Sequence, residues 1–366
     1  MKILLLSDSR SEHTEKWAMG LASKGIHVGV FSFNKATYDW INNHPLITLL
    51  HEAEETVNAK KLKTKIKYIK NVGALKAAIA TFKPDILHAH YATSYGLIGA
   101  LSGFHPYIIS VWGMDVYGFP NASYLHKSLL KYNLRKADMI LSTSEIMKQE
   151  TLKYTEKNIT VTPFGVDTAV FKKAEVSKES NTIYIGTIKS IEEKYGIRYI
   201  IEAAKILKDR IRNQKLKFLL IGAGSQSDYY KKQIAAEGLT DMVELTGRIK
   251  FSDVPHYHNL LDIFLNVSID DSESFGVAVV EAMSSETPVI VSDVGGLMEV
   301  IDKGKFGIIV KKKNALEIAD AIEKLINNPQ LREEMGKKGR EHVLNTYDFN
   351  VSLNKMIEAY NSVLKK

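Results

Sequence analysis

Short apolar runs alternate with helical patterns along almost the whole chain. Each run is rich in leucine or β-branched residues, and the intervening stretches repeat apolar residues at a helical spacing, as in the helix predicted over 14–24. This alternation predicts an α/β protein built on doubly wound parallel sheets. The predicted strands are KILLLSD, HVGVFSF, LITLLHE, DILHAH, YIISVWG, DMILSTS and ITVTPFG in the first half, and TIYIGT, KFLLIGAG, MVELTG, DIFLNVS, PVIVSD and FGIIVK in the second.

One polar segment interrupts this alternation. The residues KKAEVSKESN that follow Phe171 show no periodicity, which predicts a linker over 171–181. We therefore expect two Rossmann-like domains, 1–170 and 182–345, facing across a cleft that is the natural place for an active site. The last helix, 346–366, carries an apolar stripe and is expected to pack back on the N-terminal domain. The stripe is Phe349, Leu353, Ile357, Tyr360 and Leu364.

Composition narrows the class of protein. The chain has 366 residues, of which 45% are hydrophobic and 25% charged, as in a globular enzyme of two domains. The absence of cysteine excludes a disulfide scaffold, a thiolate zinc site and a cysteine nucleophile. The first residues, MKILLLSDSR, lack the apolar core of a signal peptide, and no stretch reaches the ~18 apolar residues of a membrane span. We expect a cytoplasmic protein.

The net charge of +7 is concentrated in the N-terminal half. A predicted amphipathic helix there carries lysines at positions 60, 61, 63, 65, 67 and 70 around Leu62, Ile66 and Ile69. Two interpretations stay open: a solvated helix that packs on its own sheet, or a basic face that binds an anionic membrane surface peripherally. Nucleic acid is not an expected partner, because no aromatic-interleaved recognition motif accompanies the lysines.

Two glutamates flank the start of a strongly apolar helix in DDSESFGVAVVEAMSSETPVIVSDVGG, residues 270–296. Glu273 is predicted in the loop after a buried strand, and Glu281 roughly 9 Å along the helix, too far apart for the ~5–5.5 Å pair of a retaining hydrolase. Backbone amides at a helix start favour a phosphate group. The spacing suits an extended ligand such as a nucleotide diphosphate sugar. The expected amides are those of Ser274, Phe275, Gly276 and Val277.

This segment resembles the donor-site signature of the retaining GT-B glycosyltransferases of family 4, also called glycosyl transferases group 1. The resemblance extends over nearly the whole chain and includes PFGVDTAVF, GRIKFSDVPHYHNLLDIFLNVS and DILHAHYATSYGLIGAL. It implies that Glu273 contacts the hydroxyls of the donor sugar and that Glu281 contacts the ribose.

The family pattern also includes two cations that bind the donor phosphates. An arginine is expected where this chain has Thr187, and Lys194 is most similar to the family lysine. Lys189 is a substitute cation, and Arg248, in LTGRI at a strand end, is a further candidate for donor binding. A lysine offers a point charge where an arginine offers a two-pronged donor, so helix amides are expected to share in orienting the donor.

The first domain departs from the family pattern at two loops. Where relatives have a Gly-Gly turn, this chain has Ser9, Arg10, His13 and Thr14. We expect Arg10 and His13 to contact the acceptor or donor. The alternative for His13 is that it caps the first turn of its own helix.

Where relatives have His-Gly, the chain has SVWGMDVYG. Asp115 is a candidate base or orienter of the acceptor hydroxyl, and Trp112 a candidate for stacking on a sugar ring or for burial. His90 is expected to line the cleft, with His88 pointing to the opposite face of the strand, so the two histidines make a poor metal pair.

The resemblance implies transfer of a sugar from a UDP- or GDP-sugar to a hydroxyl of a glycan or lipid-linked acceptor, with retained anomeric configuration. It implies same-face attack without a protein nucleophile, and neither a metal nor a cofactor is expected. A nucleotide-sugar epimerase on the same fold is the alternative. A dinucleotide-dependent oxidoreductase is disfavoured, because IGAGSQSD has Asp228 where a third glycine is needed.

Overall fold

A computed structural model describes residues 1–37, 39–52 and 68–365 of the chain. The chain forms two compact units, Met1–Phe164 together with Ser352–Lys366, and Gly165–Val351. The division falls after Phe164, and residues 171–181, the predicted linker, belong to the second unit. All thirteen strands predicted from the apolar runs are present, so the prediction of an α/β fold with two doubly wound parallel sheets is confirmed.

The first unit is built on a seven-stranded parallel sheet with the strand order β3-β2-β1-β4-β5-β6-β7. Both faces of β4 and β5 are buried, which explains why these strands are unbroken apolar runs apart from histidine and serine. The strands are β1 Lys2–Leu6, β2 His27–Phe31, β3 Ile47–His51, β4 Ile86–His90, β5 Tyr107–Val111, β6 Met139–Ser142 and β7 Ile159–Val161. The helices described in this part are α1 Glu12–Ser23, α2 Val72–Phe82, α3 Ser94–Ser102, α4 Met114–Tyr117, α5 Tyr124–Lys136 and α6 Glu145–Leu152.

The second unit is built on a six-stranded parallel sheet with the order β10-β9-β8-β11-β12-β13. Buried isoleucines and Phe218 from its strands pack against helices on the sheet faces. The strands are β8 Thr182–Ile188, β9 Lys215–Ile221, β10 Val243–Gly247, β11 Ile263–Asn266, β12 Val289–Ser292 and β13 Ile308–Val310. The helices are α7 Ile197–Arg210, α8 Ser227–Ala236, α9 Val254–Leu260, α10 Val277–Ser284, α11 Gly295–Val300, α12 Ala315–Ile326 and α13 Pro329–Thr346.

The C-terminal helix, α14, spans Phe349–Leu364 and belongs to the first unit from Ser352 onward. This confirms the prediction that it returns to the N-terminal domain. Its buried stripe differs from the predicted one: Leu364 is exposed and Ile357 only partly buried. The buried side chains are Ser352, Leu353, Met356, Ala359, Tyr360 and Val363. Tyr360 Oη lies 2.8 Å from Nδ1 of His88, so a hydrogen bond from the sheet fixes the helix.

The basic segment predicted as an amphipathic helix lies almost entirely outside the described residues. Of its named side chains, only Ile69 and Lys70 are described, and both are exposed.

Candidate functional site

The strand order of the second unit has one reversal, between β8 and β11. From β8 the chain continues to β9 and β10 on one side, then returns to β11 on the other. In open parallel sheets such a reversal leaves a crevice at the carboxyl ends of the strands, where ligands bind. Lys189 directly follows β8, and the loop that carries Glu273 follows β11, so both lie at this crevice.

Lys189 and Glu273 form a largely buried ion pair across the crevice. Lys189 Nζ lies 2.8 Å from each carboxylate oxygen of Glu273, and only 15% and 13% of the two side chains are exposed. Both residues were predicted to belong to the site, but Lys194 was expected to be the main cation for the donor phosphates and Lys189 a substitute. The structure places Lys189, and not Lys194, directly on the carboxylate.

Lys194 lies beside this pair. The ammonium groups of Lys189 and Lys194 are 4.9 and 4.8 Å from the ring centre of Tyr195, which was not among the predicted site residues. Gly196 makes this approach feasible: its φ is +71°, and a Cβ atom there would lie 2.1 Å from the carbonyl oxygen of Val267. The loop therefore lies against the exit of β11, and the amide of Ile269 donates to the carbonyl of Lys194 at 2.9 Å.

The two aspartates before Glu273 have structural partners. Asp270 Oδ1 accepts from the Ser272 amide at 2.7 Å. That hydrogen bond lowers the pKa of Asp270, and the positive charges of Lys194 and Lys312 act in the same direction. Lys312, which follows β13, also binds Asp271 at 2.9 Å. A third lysine thus belongs to this edge of the sheet.

The helix after Glu273 begins later than predicted. α10 starts at Val277, and Gly276 precedes it in a left-handed conformation with φ +73°. Ser274 and Phe275 are therefore not helical, and both are buried. Of the four expected amides, only that of Val277 belongs to a helical residue. Gly296 accounts for the path of this segment, because a Cβ atom at Gly296 would lie 2.4 Å from the carbonyl oxygen of Glu273.

Glu281 lies inside α10 and is 8% exposed. Its Oε2 is 3.4 Å from Nε2 of His258, a fully buried residue of α9. His258 was not selected from the sequence, because neither of the two histidines in the stretch PHYHNLL carries a local signal of its partner. The two glutamates thus have different partners, a lysine for Glu273 and a histidine for Glu281.

Two predicted donor contacts are placed away from the ion pair. Thr187 lies within β8 and is buried, so the first side chain beyond the strand is that of Lys189. Arg248 is exposed and follows β10, two strands from β8 in the sheet. At the usual strand spacing this is roughly 10 Å from the crevice. Among the described residues, no hydrogen bond or ion pair joins Arg248 to Lys189 or Glu273.

The first unit has an equivalent strand reversal between β1 and β4. Ser7 follows β1, and its hydroxyl lies 3.1 Å from Nδ1 of His90 at the end of β4 and 2.6 Å from the hydroxyl of Thr14. The Trp112 ring, just beyond β5, is centred 4.7 Å from the ring of His90. Burial lowers the pKa of His90 to about 3, so the imidazole is neutral at physiological pH.

A cavity of about 360 Å³ lies at this reversal. It brings together three of the predicted acceptor residues, Arg10, His90 and Trp112. Arg10 is held by Asp8, whose carboxylate accepts from Nε at 3.1 Å and Nη2 at 2.8 Å. The side chains that line the cavity are those of Ser7, Asp8, Arg10, Ser11, Phe33, Asn34, Tyr68, His90, Tyr91, Ser94, Tyr95 and Trp112.

His13 packs beside this cavity on aromatic rings. Its ring stacks on Phe164 with centres 4.3 Å apart and meets the Trp112 ring edge-on at 6.0 Å. Burial, and then the charges of Lys16 and His90, lower the pKa of His13 to about 3. The capping alternative is wrong, since His13 lies within α1 and the cap residue is Ser11.

Asp115 is fully buried, and its carboxylate is bound by backbone amides. Oδ2 accepts from Ala92 at 2.8 Å, and Oδ1 accepts from Gly113 at 2.8 Å and from Trp112 at 3.1 Å. Burial raises the pKa of this carboxyl, while the amide hydrogen bonds lower it. Asp115 therefore ties the loop after β4 to the loop after β5, and both of its oxygens accept hydrogen bonds from backbone amides.

The expectation that His88 and His90 point to opposite faces is wrong. Residues two apart on a strand share a face, and the two rings are centred 4.6 Å apart. His88 is nevertheless committed to structure, because Nδ1 lies 2.8 Å from Tyr360 Oη and Nε2 lies 2.8 Å from Ser110 Oγ.

Comparison with known proteins shows the family of the chain. The family model for glycosyl transferases group 1 matches residues 170–342, and a glycosyl transferase 4-like model matches residues 2–144. The chain belongs to the group 1 glycosyltransferases. This glycosyltransferase is similar to the capsular polysaccharide biosynthesis glycosyltransferase CapM of Staphylococcus aureus, with 28% identity over 301 residues, 74% of this chain and 75% of CapM.

Solved structures show the same GT-B fold. Sucrose-phosphate synthase from Thermosynechococcus elongatus matches with a TM-score of 0.86 and 20% identity over 100% of this glycosyltransferase and 99% of the synthase. Anabaena HepE in complex with UDP matches with a TM-score of 0.80 and 18% identity over 99% of this chain and 100% of HepE. Within residues 1–37, 39–52 and 68–365, no helix has the length and apolar character to cross a membrane.

Proposed function

We propose that this glycosyltransferase moves a hexose from UDP- or GDP-sugar to a hydroxyl of a glycan or lipid-linked acceptor, with retention of configuration, in capsule, cell-surface glycan or glycolipid synthesis. The observation that carries the proposal is the Lys189–Glu273 pair at the strand reversal of the second unit. In the proposed site the lysine of this pair is the cation for phosphate, and the neighbouring carboxylate accepts from sugar hydroxyls. HepE, which shares the fold, has been solved with UDP and with UDP-glucose.

We assign the donor to the second unit. Lys189 and Lys194 supply positive charge for the diphosphate, and the amide at the start of α10 adds a donor at a helix N-terminus. Glu273 accepts from hydroxyls of the sugar, and Glu281, held by His258, accepts from the ribose. In this arrangement the lysines stabilise the negative charge that develops on the leaving diphosphate.

We assign the acceptor to the cavity of the first unit. His90 and Trp112 form its wall, with His13 packed against Trp112, and Asp115 holds the loops after β4 and β5, the second of which carries Trp112. In the proposed reaction the acceptor oxygen bonds to the anomeric carbon as the bond from that carbon to the diphosphate oxygen breaks. Attack is from the face of the leaving group, and the diphosphate oxygen takes the proton of the acceptor. The protein positions the partners and stabilises charge.

The test is the dependence of nucleotide release on acceptor. UDP- and GDP-sugars are first screened by thermal stabilisation, since a donor at 100 times its Kd adds about 2.7 kcal/mol. With the donor identified, we expect stoichiometric release of nucleoside diphosphate and a product whose anomeric configuration, read by NMR, equals that of the donor. An inverted product would refute retention, and interconversion of nucleotide sugars without acceptor would instead identify an epimerase.

A further inference from the structure

The cavity of the first unit contains one carboxylate and one guanidinium among its lining side chains, and the two bind each other. Asp8 Oδ1 accepts from Arg10 Nε at 3.1 Å and from the Arg10 amide at 3.0 Å. Oδ2 accepts from Arg10 Nη2 at 2.8 Å and from Asn34 Nδ2 at 2.9 Å. This two-pronged geometry is the strong form of the arginine–carboxylate interaction. The positive charge of Arg10 is therefore already balanced.

The other titratable groups that line the cavity are uncharged at neutral pH. Burial keeps His90 neutral by lowering its pKa to about 3. Burial also raises the pKa of each lining tyrosine, Tyr68, Tyr91 and Tyr95, so all three keep their protons. With the Asp8–Arg10 pair counted as one positive and one negative charge, the described lining has no net charge.

The remaining lining combines aromatic rings with hydroxyl groups, and of these rings Tyr91 and Trp112 are partly exposed. The Phe33 ring stacks on Tyr95 and lies against Tyr68, each with centres 4.4 Å apart. Hydroxyls of three serines, Ser7, Ser11 and Ser94, complete the lining. A sugar or cyclitol ring has this same combination, with apolar faces of C–H groups and a polar rim. The volume lies at the lower end of the range for ligand pockets, which fits one ring better than several.

We infer that this cavity takes an uncharged, hydroxyl-rich ring, such as an unmodified terminal sugar or a cyclitol, and discriminates against its phosphorylated or carboxylated forms. The inference rests on the proposed function, in which the first unit holds the acceptor. Asp8 accepts hydrogen bonds from the ring hydroxyls. An anionic substituent would lie near the Asp8 carboxylate, or would have to take Arg10 away from it, and both cost binding energy. Asp8 is thus a specificity-determining residue.

The experiment compares matched neutral and phosphorylated rings. Glucose, N-acetylglucosamine and myo-inositol are paired with their monophosphates, and binding to the whole protein without donor is followed by saturation-transfer NMR and by tryptophan fluorescence, to which Trp112 contributes. We expect at least one neutral ring to bind about tenfold or more tightly than its phosphate, the difference that one charge-assisted contact provides.

The variant Asp8→Asn removes the negative charge and frees Arg10 from its pair. We expect it to weaken the neutral ring about tenfold and to strengthen the phosphorylated ring, which reverses the preference. Asp39→Asn is the matched control, because Asp39 is exposed in the same unit and does not line the cavity. Its preference should equal that of the unmodified protein.

Tighter binding of the phosphorylated rings to the unmodified protein, equal losses of both forms in Asp8→Asn, or no binding of any neutral ring would each overturn the inference. The proposed function fails separately, when selective binding of a neutral ring is seen but no acceptor elicits nucleotide release from any donor.

Discussion

Replacing Lys189 by methionine leaves the Glu273 carboxylate in a largely buried position without its counter-charge. At 2.8 Å and an effective dielectric constant of ~20, the Coulomb attraction of the pair is about 6 kcal/mol, most of which offsets the desolvation of the two charges. Breaking a buried pair typically costs ~3–5 kcal/mol. Because each side chain retains some solvent contact, we expect a loss of about 2–3 kcal/mol in the free energy of unfolding, below that range.

The pair can be separated from its members by a double-mutant cycle in urea or thermal unfolding. Glu273→Gln should cost about 1 kcal/mol, less than Lys189→Met, because an unpaired lysine can extend its flexible side chain toward solvent. The double variant, which buries no unpaired charge, should be no less stable than Lys189→Met alone, giving a coupling energy of about 1–2 kcal/mol. The control is Lys312→Met, whose partner Asp271 is 65% exposed, and it should cost less than about 1 kcal/mol.

The same variants distinguish stability from catalysis. Glu273→Gln should sharply reduce transfer while UDP or GDP binds nearly as before, because the nucleotide does not extend to this carboxylate in the proposed site. The reasoning is refuted if Lys189→Met and Lys312→Met destabilise the protein equally, since that would make the Glu273 pair no more buried in solution than a surface contact. Normal turnover in Glu273→Gln would refute its contact with the donor sugar.

Three further results are expected. Lys194→Ala should weaken binding of nucleoside diphosphate far more than binding of nucleoside, because only the diphosphate carries the charge that this ammonium would neutralise. Calorimetry measures both affinities. Equal losses of affinity for the two ligands would mean that the lysine is structural. The pKa of His90 is about 3 in the folded protein and ~6.5 in the unfolded chain, so the unfolded chain binds more protons between these pH values. This residue should therefore lower the free energy of unfolding by about 2 kcal/mol on going from pH 7 to pH 5. A free energy of unfolding that does not change with pH would contradict the burial of His90. The protein should bind anionic vesicles at low salt and be released as ionic strength rises, with each lysine contributing about 1 kcal/mol at most. Replacement of the lysines at 61, 63, 65 and 67 by glutamine should reduce this binding without changing donor hydrolysis. If the unmodified protein does not bind such vesicles, a soluble acceptor is favoured.

The fold was predictable because its signal is local. A strand of a parallel sheet is covered on both faces, so β4 or β12 is an apolar run that is visible without knowledge of its neighbours. The buried stripe of α14 was less predictable, because a sixteen-residue helix with apolar residues on several sides can bury more than one of its faces. Tyr360 is buried where its hydroxyl reaches His88, 272 positions earlier, and no local pattern encodes that hydrogen bond.

The site was predictable only as far as the strand ends. Lys189 and Lys194 both follow β8, which places two cations near the loop of Glu273. Which of the two pairs with Glu273 depends on the path of the loop after β8, and that path requires the positive φ angle of Gly196. A sequence shows a charge and its position along the chain, and it does not show whether that charge already has a partner.

Arg10 and Asp115 illustrate the same limit in the first unit. Each is a charged side chain beside a strand end, which is the pattern of a catalytic or binding residue. In the folded protein the Asp115 carboxylate accepts hydrogen bonds from backbone amides, and the Arg10 guanidinium donates to the carboxylate of Asp8, two residues away. The amides hold Asp115 in a fixed structural position, whereas the Asp8–Arg10 pair lines a cavity and sets its charge. Under the proposed selectivity, Asp115 supports the site and the Asp8–Arg10 pair selects its ligand, and this difference follows from the partners of the residues rather than from their types.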